Sequence, residues 1–131
     1  MVSRSACLIM TSILFVGVTL AADHTKDTPE EVKKALAENK AVLIDVRELK
    51  EWEEGRLKDA NLLPLSKIKQ GVPDEELAKK LPKGKVIYLH CRSGGRCLVA
   101  ADLLKKKGIE AKALKEGYED LLKAGLPKAE K

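Results

Sequence analysis

The chain has 131 residues, of which 44% are apolar, 34% are charged and only 3% are aromatic, and its formal net charge is +5. These values are typical of one soluble globular domain with an aliphatic core, and they exclude a disordered chain and two domains of ordinary size. The lysines form short groups without an aromatic platform beside them, so nucleic-acid binding is not expected.

The N-terminal segment differs from the rest of the chain. Arg4 is its only charge, residues 6–22 are almost wholly apolar, and the chain turns polar at Asp23. A basic start, an apolar centre and small residues near the end are typical of a secretory signal peptide. Cleavage is predicted after Ala21, which places small residues where a signal peptidase reads them.

This interpretation divides the chain into a signal peptide at 1–21, a linker at 22–27 and a folded domain at 28–131. The protein is then expected to be exported, to the periplasm if it is bacterial, with no stable membrane insertion once the signal is cleaved. The alternative is an uncleaved N-terminal membrane anchor, because the apolar run is just long enough to span a bilayer.

The domain is predicted to begin with a helix. Thr28 can cap it, Pro29 suits its first position, and Glu31 completes a capping box. The helical pattern continues to about Asn39.

An apolar run at 41–47 follows and predicts a buried strand with Asp45 and Arg47 at its carboxyl end. Beyond it, the patterns predict a short helix at 49–54, a strand near 61–63 that Pro64 ends, and helices at 66–70 and 74–81.

The clearest strand pattern is at 86–90, with Cys91 directly after it. A helix is predicted at 96–107, and a last strand at 111–114 precedes a final helix that contains Tyr118. Strands alternating with helices predict an α/β fold whose central, mainly parallel sheet has helices on both faces.

The segment between the Cys91 strand and its helix predicts an anion-binding loop. Gly94 and Gly95 permit the backbone angles that let successive N–H groups point inward, and the helix start adds positive charge. A thiol there, flanked by Arg92 and Arg96, should ionise well below its reference pKa of about 8.5. The sequence therefore predicts Cys91 as a thiolate nucleophile.

Cys97 has two interpretations. It can pack in the first turn of the helix, or it can reach Cys91 and resolve an oxidised sulfur into a disulfide. A bridge requires the two Cα atoms to lie within about 7 Å, and the sequence leaves the choice open.

The other polar residues near the strand ends favour structural roles. Asp45 and Arg47 are expected to form an ion pair or network that supports the loop, and His90 is expected to be packed or partly exposed. With only His24 and His90 available and no cysteine pair at ligand spacing, neither a metal site nor a cofactor is expected.

The sequence resembles the rhodanese family in four motifs that together span nearly all of the chain from about residue 28. These are the loop Cys91-Arg92-Ser93-Gly94-Gly95-Arg96, Asp45-Val46-Arg47-Glu48 followed by Glu51-Trp52, the stretch from Gly55 to Pro64, and Gly117-Tyr118-Glu119 ahead of Ala124-Gly125-Leu126-Pro127. The resemblance implies a rhodanese-like domain at 28–131, with Cys91 as persulfide carrier inside a six-residue active loop. The related phosphatase loops are one residue longer, so the loop length favours sulfur over phosphate.

The resemblance implies a sulfurtransferase that moves a sulfane sulfur from thiosulfate or a related donor, a small sulfur-containing anion or a persulfide, to a thiophilic acceptor. The expected acceptor is a thiol, cyanide or a thioredoxin-like protein. Arg92, Ser93, Gly94, Gly95, Arg96 and Cys97 are the expected loop and substrate-binding residues. Two alternatives stay open: a thiol redox protein using Cys91 and Cys97, and a rhodanese-like sulfur-carrier module with little turnover.

Overall fold

The computed structural model describes residues 22–130. The predicted signal peptide, residues 1–21, lies outside the described residues, so cleavage after Ala21 and export stay predictions. Within residues 22–130, no helix has the length and apolarity needed to cross a membrane.

The described residues form alternating helices and strands along the chain. The helices are α1 (Pro29–Ala37), α2 (Leu49–Glu54), α3 (Leu65–Gln70), α4 (Asp74–Lys80), α5 (Gly95–Lys105) and α6 (Tyr118–Lys123), and the strands are β1 (Ala41–Asp45), β2 (Ala60–Leu62), β3 (Val86–His90) and β4 (Lys112–Ala113).

The four strands form one parallel sheet in the order β2-β1-β3-β4. β1 and β3 are therefore neighbours at its centre, and their register places Asp45 opposite His90. Because both strands run in the same direction, the residues that follow them meet at one edge of the sheet. This register brings Cys91 close to the carboxyl end of β1.

Side chains that alternate along the central strands create two apolar layers. Ile44 and Leu89 belong to the cluster that packs against α3, α4 and α5. Leu43 and Tyr88 belong to the cluster on the opposite face, with residues of α1 and α6. The predicted fold class, a mainly parallel α/β sheet covered on both faces, is confirmed.

The predicted capping box starts α1. The Thr28 hydroxyl accepts from the Glu31 N–H at 3.2 Å, and the Glu31 carboxylate accepts from the Thr28 N–H at 3.1 Å. The helix ends at Ala37, slightly before the predicted Asn39, because Asn39 has a left-handed φ of 57° that cannot continue a right-handed helix.

Residues 22–27, predicted to be a linker, pack against the domain and are called the N-terminal strap below. The backbone N–H of Thr25 donates to the carbonyl of Ala113 at 2.8 Å. The backbone nitrogen of Ala22 donates to a carboxylate oxygen of Asp102 at 2.7 Å. The contact between Thr25 and Ala113 forms because β4 is an edge strand whose outer backbone groups need partners.

Candidate active site

Cys91 begins the loop of residues 91–96, called the cysteine loop below. Its side chain is buried, and the backbone N–H of Gly94 donates to its Sγ at 3.0 Å. Gly94 has a φ of 89°, in the left-handed region that favours glycine. The hydrogen bond to the sulfur therefore depends on glycine at position 94.

Gly95 does not share this requirement. It is the first residue of α5, its φ is not in the left-handed region, and an added Cβ would meet no heavy atom within 4 Å. The expectation that both glycines supply unusual backbone angles is wrong for Gly95, because a residue at the start of a helix needs only ordinary angles.

The loop is closed from the outside by residues at the start of α6. The N–H of Tyr118 donates to the carbonyl of Cys91 at 2.9 Å. A Cβ on Gly117 would lie 1.8 Å from the carbonyl oxygen of Arg92, although the φ of Gly117, −81°, suits any residue. Gly117 is thus required for space, since the backbone of the cysteine loop lies directly against it.

Cys97 is buried on the inner side of the loop. Its Sγ donates towards the carbonyl of Gly94 at 3.0 Å and the carbonyl of Leu114 at 3.2 Å. The thiol has one proton for these two acceptors, so ionisation of Cys91 would offer that proton a stronger, anionic acceptor. Cys97 is therefore packed in the first turn of α5, the first of its two interpretations, and is a hydrogen-bond donor there.

The surroundings of Cys91 lower its pKa from 9.0 to about 5. The largest cause is a hydrogen bond from the Cys97 side chain. Burial acts in the opposite direction, and the backbone N–H groups of Cys97, Gly94 and Ser93 reinforce the lowering. Hydrogen bonding to Cys91 and burial raise the pKa of Cys97, so Cys97 keeps its proton. A buried, protonated Cys97 is a poor resolving thiol and a good donor.

This arrangement predicts the pH dependence of the thiolate. In wild-type protein the thiolate absorbance of Cys91, taken as the difference from a Cys91→Ser variant, should rise with a midpoint near pH 5. Cys97→Ala removes a hydrogen bond to a charged group, worth about 1.5–3 kcal/mol, and should raise the pKa by about one to two units. Cys97→Ser retains a donor and should leave the midpoint low. An unchanged midpoint in Cys97→Ala would show that Cys97 does not stabilise the thiolate.

The two loop arginines occupy different positions. Arg96, partly buried, donates to both carboxylate oxygens of Glu51 in α2, at 2.6 Å and 2.9 Å. This pair lowers the pKa of Glu51 to about 2 and raises that of Arg96. Arg92 is exposed beside Ser93. The sequence predicted that both guanidinium groups stabilise the Cys91 thiolate, but the Arg96 guanidinium is bonded to Glu51. Hydrogen bonds from Cys97 and the loop amides have the larger effect on the pKa of Cys91.

The buried pair Asp45 and Arg47 lies beneath the site. Arg47 donates to the Asp45 carboxylate at 2.8 Å and to the carbonyl of Gly55 at 2.7 Å. Its guanidinium also lies 4.3 Å from the ring centre of Tyr118. The pair therefore connects β1 to the end of α2 and to Tyr118 of α6, whose N–H donates to the carbonyl of Cys91.

His90 is buried in the sheet beside this pair. Its Nε2 lies 3.7 Å from an Asp45 carboxylate oxygen, and neither ring nitrogen has a hydrogen-bond partner among the described residues. Burial is the main cause that lowers the pKa of His90, so the ring is neutral at pH 7.

Residues 22–130 contain no group of three or more His, Cys, Asp or Glu placed to hold a metal ion.

A cavity of about 240 Å³ opens beside the cysteine loop. Its lining combines cationic and acidic side chains with apolar groups of α6. The cationic groups are Arg47, Arg92 and Lys128, the acidic ones are Glu51, Glu54 and Glu119, and Gly55, Tyr118 and Leu122 complete the wall. A small anion could enter here next to Arg92 and the loop.

Comparison with known proteins agrees with this architecture. The family described as "Rhodanese-like domain" matches residues 28–124. A putative mitochondrial thiosulfate sulfurtransferase of Schizosaccharomyces pombe is 35% identical over 83 residues, covering 58% of this chain and 58% of that protein. The probable adenylyltransferase/sulfurtransferase MoeZ of Mycobacterium tuberculosis is 38% identical over 89 residues, covering 67% of this chain and 22% of that protein.

A solved rhodanese-like domain protein from Staphylococcus aureus is similar over most of its length. The identity is 27% and the TM-score 0.60, with coverage of 75% of this chain and 91% of that chain. The chain spans less than two thirds of either curated relative. The similarity to those relatives therefore concerns the rhodanese-like domain and not the activity of the whole proteins.

Two features of the site could not be found from the motifs alone. His24 reaches the cysteine loop from a position 70 residues earlier in the chain, and Gly117 matters because of a backbone contact across the fold. No local sequence signal marks such long-range contacts. The Gly117-Tyr118 pair is visible only as part of the family resemblance.

Proposed function

Since this chain belongs to the rhodanese-like domain family, we propose that it is a sulfurtransferase in which Cys91 carries a sulfane sulfur as a persulfide. The observation that carries the proposal is the hydrogen bonding of Cys91, which lowers its pKa to about 5. At pH 7 the thiolate is then the main form, and the thiolate is the nucleophilic form of cysteine.

The proposed reaction has two nucleophilic steps. With thiosulfate as donor, the Cys91 thiolate attacks the outer sulfur, a new sulfur–sulfur bond forms, and the old one breaks with its electron pair leaving on sulfite. An acceptor thiolate or cyanide then attacks the terminal sulfur, and the electron pair of the broken bond returns to Cys91. The chain ends unchanged, and no cofactor is required.

The contacts around the sulfur support storage of a negative terminal sulfur. The N–H of Gly94 already donates to the Cys91 Sγ, and the start of α5 places a partial positive charge at the loop. The adjoining cavity has three cationic and three acidic side chains in its lining, and Arg92, which follows Cys91 in the chain, is the cation that we expect to contact an anionic donor such as thiosulfate. A thiol, cyanide or a thioredoxin-like protein is the proposed acceptor.

The burial of Cys91 favours a second candidate, a sulfur-carrier module that loads sulfur and releases it only to a dedicated partner. Its side chain has 0% exposure, so a donor or acceptor reaches the sulfur only after neighbouring loop atoms move. A partner protein that binds the loop could supply that movement.

Turnover separates the two candidates. The purified chain is incubated with thiosulfate and cyanide, and thiocyanate is measured over time. Continuous thiocyanate formation is the expected result for the enzyme. Stoichiometric sulfur loading with negligible thiocyanate would indicate the carrier, and the absence of both loading and thiocyanate would contradict sulfur transfer by this chain.

A further inference from the structure

The carbonyl of Gly94 is held from two sides. The Sγ of Cys97 lies 3.0 Å from it on the inner side, and Nε2 of His24 lies 2.7 Å from the same oxygen on the outer side. When Cys91 is ionised, the proton of Cys97 is drawn to that sulfur, and His24 remains as the donor to the carbonyl. Because a carbonyl oxygen can only accept, His24 must carry a proton on Nε2 and donate it. His24 belongs to the N-terminal strap and precedes the matched family region, residues 28–124.

The Gly94–Gly95 peptide is a part of the loop that needs such support. Glycine lacks a Cβ, so rotation about the backbone at two successive glycines is poorly restrained. In a planar trans peptide the carbonyl of Gly94 and the N–H of Gly95 point in opposite directions, so holding the oxygen also holds that N–H. The N–H of Gly94, which donates to the Cys91 sulfur, belongs to the preceding peptide and is attached to the same Cα. Rotation about the N–Cα bond of Gly94 would therefore change the position of this N–H relative to the held carbonyl.

The strap presents His24 from an anchored position. On one side, the backbone nitrogen of Ala22 donates to Asp102 of α5 at 2.7 Å. On the other side, the N–H of Thr25 donates to the carbonyl of Ala113 at 2.8 Å. His24 lies between these two contacts, so its ring is brought to the loop by a fixed segment of backbone.

The approach of His24 to the loop is close. A Cβ built on Gly94 would lie 3.1 Å from Nε2 of His24 and 3.0 Å from the carbonyl oxygen of Lys115. The loop backbone at Gly94 is therefore enclosed by the strap and by the segment after β4. Movement of this peptide requires His24 to move or its hydrogen bond to break.

We propose that His24 is a positioning residue for the sulfurtransferase reaction, which holds the Gly94–Gly95 peptide so that the cysteine loop stays closed around the Cys91 sulfur. It acts through the carbonyl of Gly94 and does not touch the sulfur. Its role in transfer rests on the proposed function, whereas its effect on the thiolate can be measured without any transfer.

The test compares two variants of the full chain. His24→Gln keeps an N–H donor at a similar distance from the backbone, whereas His24→Leu keeps the bulk without the donor. Three measurements are made: the pH titration of thiolate absorbance, the kcat/KM for thiosulfate, and hydrogen exchange at the Thr25 amide, which reports whether the strap stays bound.

His24→Leu should move the thiolate midpoint to higher pH and reduce kcat/KM about three- to tenfold, as expected for one lost hydrogen bond, with Thr25 still protected. His24→Gln should stay within about twofold of wild type. A thiolate midpoint in His24→Leu equal to that of wild type would overturn the proposal. An equal loss of kcat/KM in His24→Leu and His24→Gln would also overturn it. Loss of Thr25 protection in His24→Leu would overturn the assignment to this one hydrogen bond. If the titration shifts as expected while even the wild-type protein transfers no sulfur, the proposed function fails and the effect of His24 on the thiolate stands.

Discussion

Replacing Cys91 by serine should abolish sulfur loading and reduce thiocyanate formation by at least about a thousandfold, because the proposed reaction passes through a covalent intermediate on this sulfur. A serine hydroxyl keeps nearly the same shape but is not ionised near pH 7. We do not expect Cys97 to replace it, because the Cys97 thiol lies on the inner side of the loop and is bonded to the carbonyls of Gly94 and Leu114. The measurement is the steady-state rate with thiosulfate and cyanide, with Cys97→Ser as the matched control. Full activity in Cys91→Ser would contradict the assignment.

The same substitution should change how stability depends on pH. The folded pKa of Cys91 is about 5 and the ordinary value is 9.0, so between these values the unfolded chain binds more protons at this site. The stability that the folded thiolate contributes is therefore full above about pH 9, decreases as the pH falls, and is lost below about pH 5. The difference in Tm between wild type and Cys91→Ser should grow in favour of wild type from pH 5 to pH 9. A Tm difference that stays constant with pH would show that folding does not lower the pKa of Cys91.

Gly117→Ala should reduce activity by about a hundredfold, although it adds a single methyl group at a position far along the chain from the cysteine loop. The added Cβ would lie 1.8 Å from the carbonyl oxygen of Arg92, well below the contact distance of about 3 Å that real Cβ atoms respect. The cysteine loop must then move by more than about 1 Å, and a displacement of that size can cost a hundredfold in rate.

Gly95→Ala is the matched control for the fold and the thiolate. Its Cβ meets nothing within 4 Å and its backbone is not left-handed, so thermal stability and the midpoint of the thiolate titration should stay at wild-type values. Gly117→Ala should raise that midpoint and lower the Tm while far-ultraviolet circular dichroism remains that of a folded α/β protein. Wild-type turnover and titration in Gly117→Ala would show that the loop does not depend on this contact.

The order of the elements could be predicted because their signals are local. The apolar run before Cys91 predicted β3 with its observed bounds, Val86–His90, and the capping box placed the start of α1. Strand β4 was predicted at 111–114 and has only two residues, Lys112 and Ala113. Its length depends on partners across the sheet, which no local pattern reports.

The site was predictable in its centre and less so in its surroundings. The motif predicted a thiol at Cys91 that accepts from loop N–H groups, and the N–H of Gly94 does donate to it, but the motif did not distinguish the left-handed Gly94 from Gly95. The pairing of Arg96 with Glu51, 45 residues apart, and the contact of His24 with Gly94, 70 residues apart, depend on the tertiary fold. The sequence therefore predicted the contribution of the loop amides but also assigned one to both arginines, and it missed the Cys97 thiol, which has the largest effect on the pKa of Cys91.

The most direct test of a persulfide on Cys91 is the mass of the intact protein after incubation with thiosulfate and removal of excess reagent. We predict a gain of one sulfur atom, located on the peptide that contains Cys91, removed by cyanide and absent in Cys91→Ser. An unchanged mass, or a sulfur bound to a different residue, would contradict a persulfide carried by Cys91.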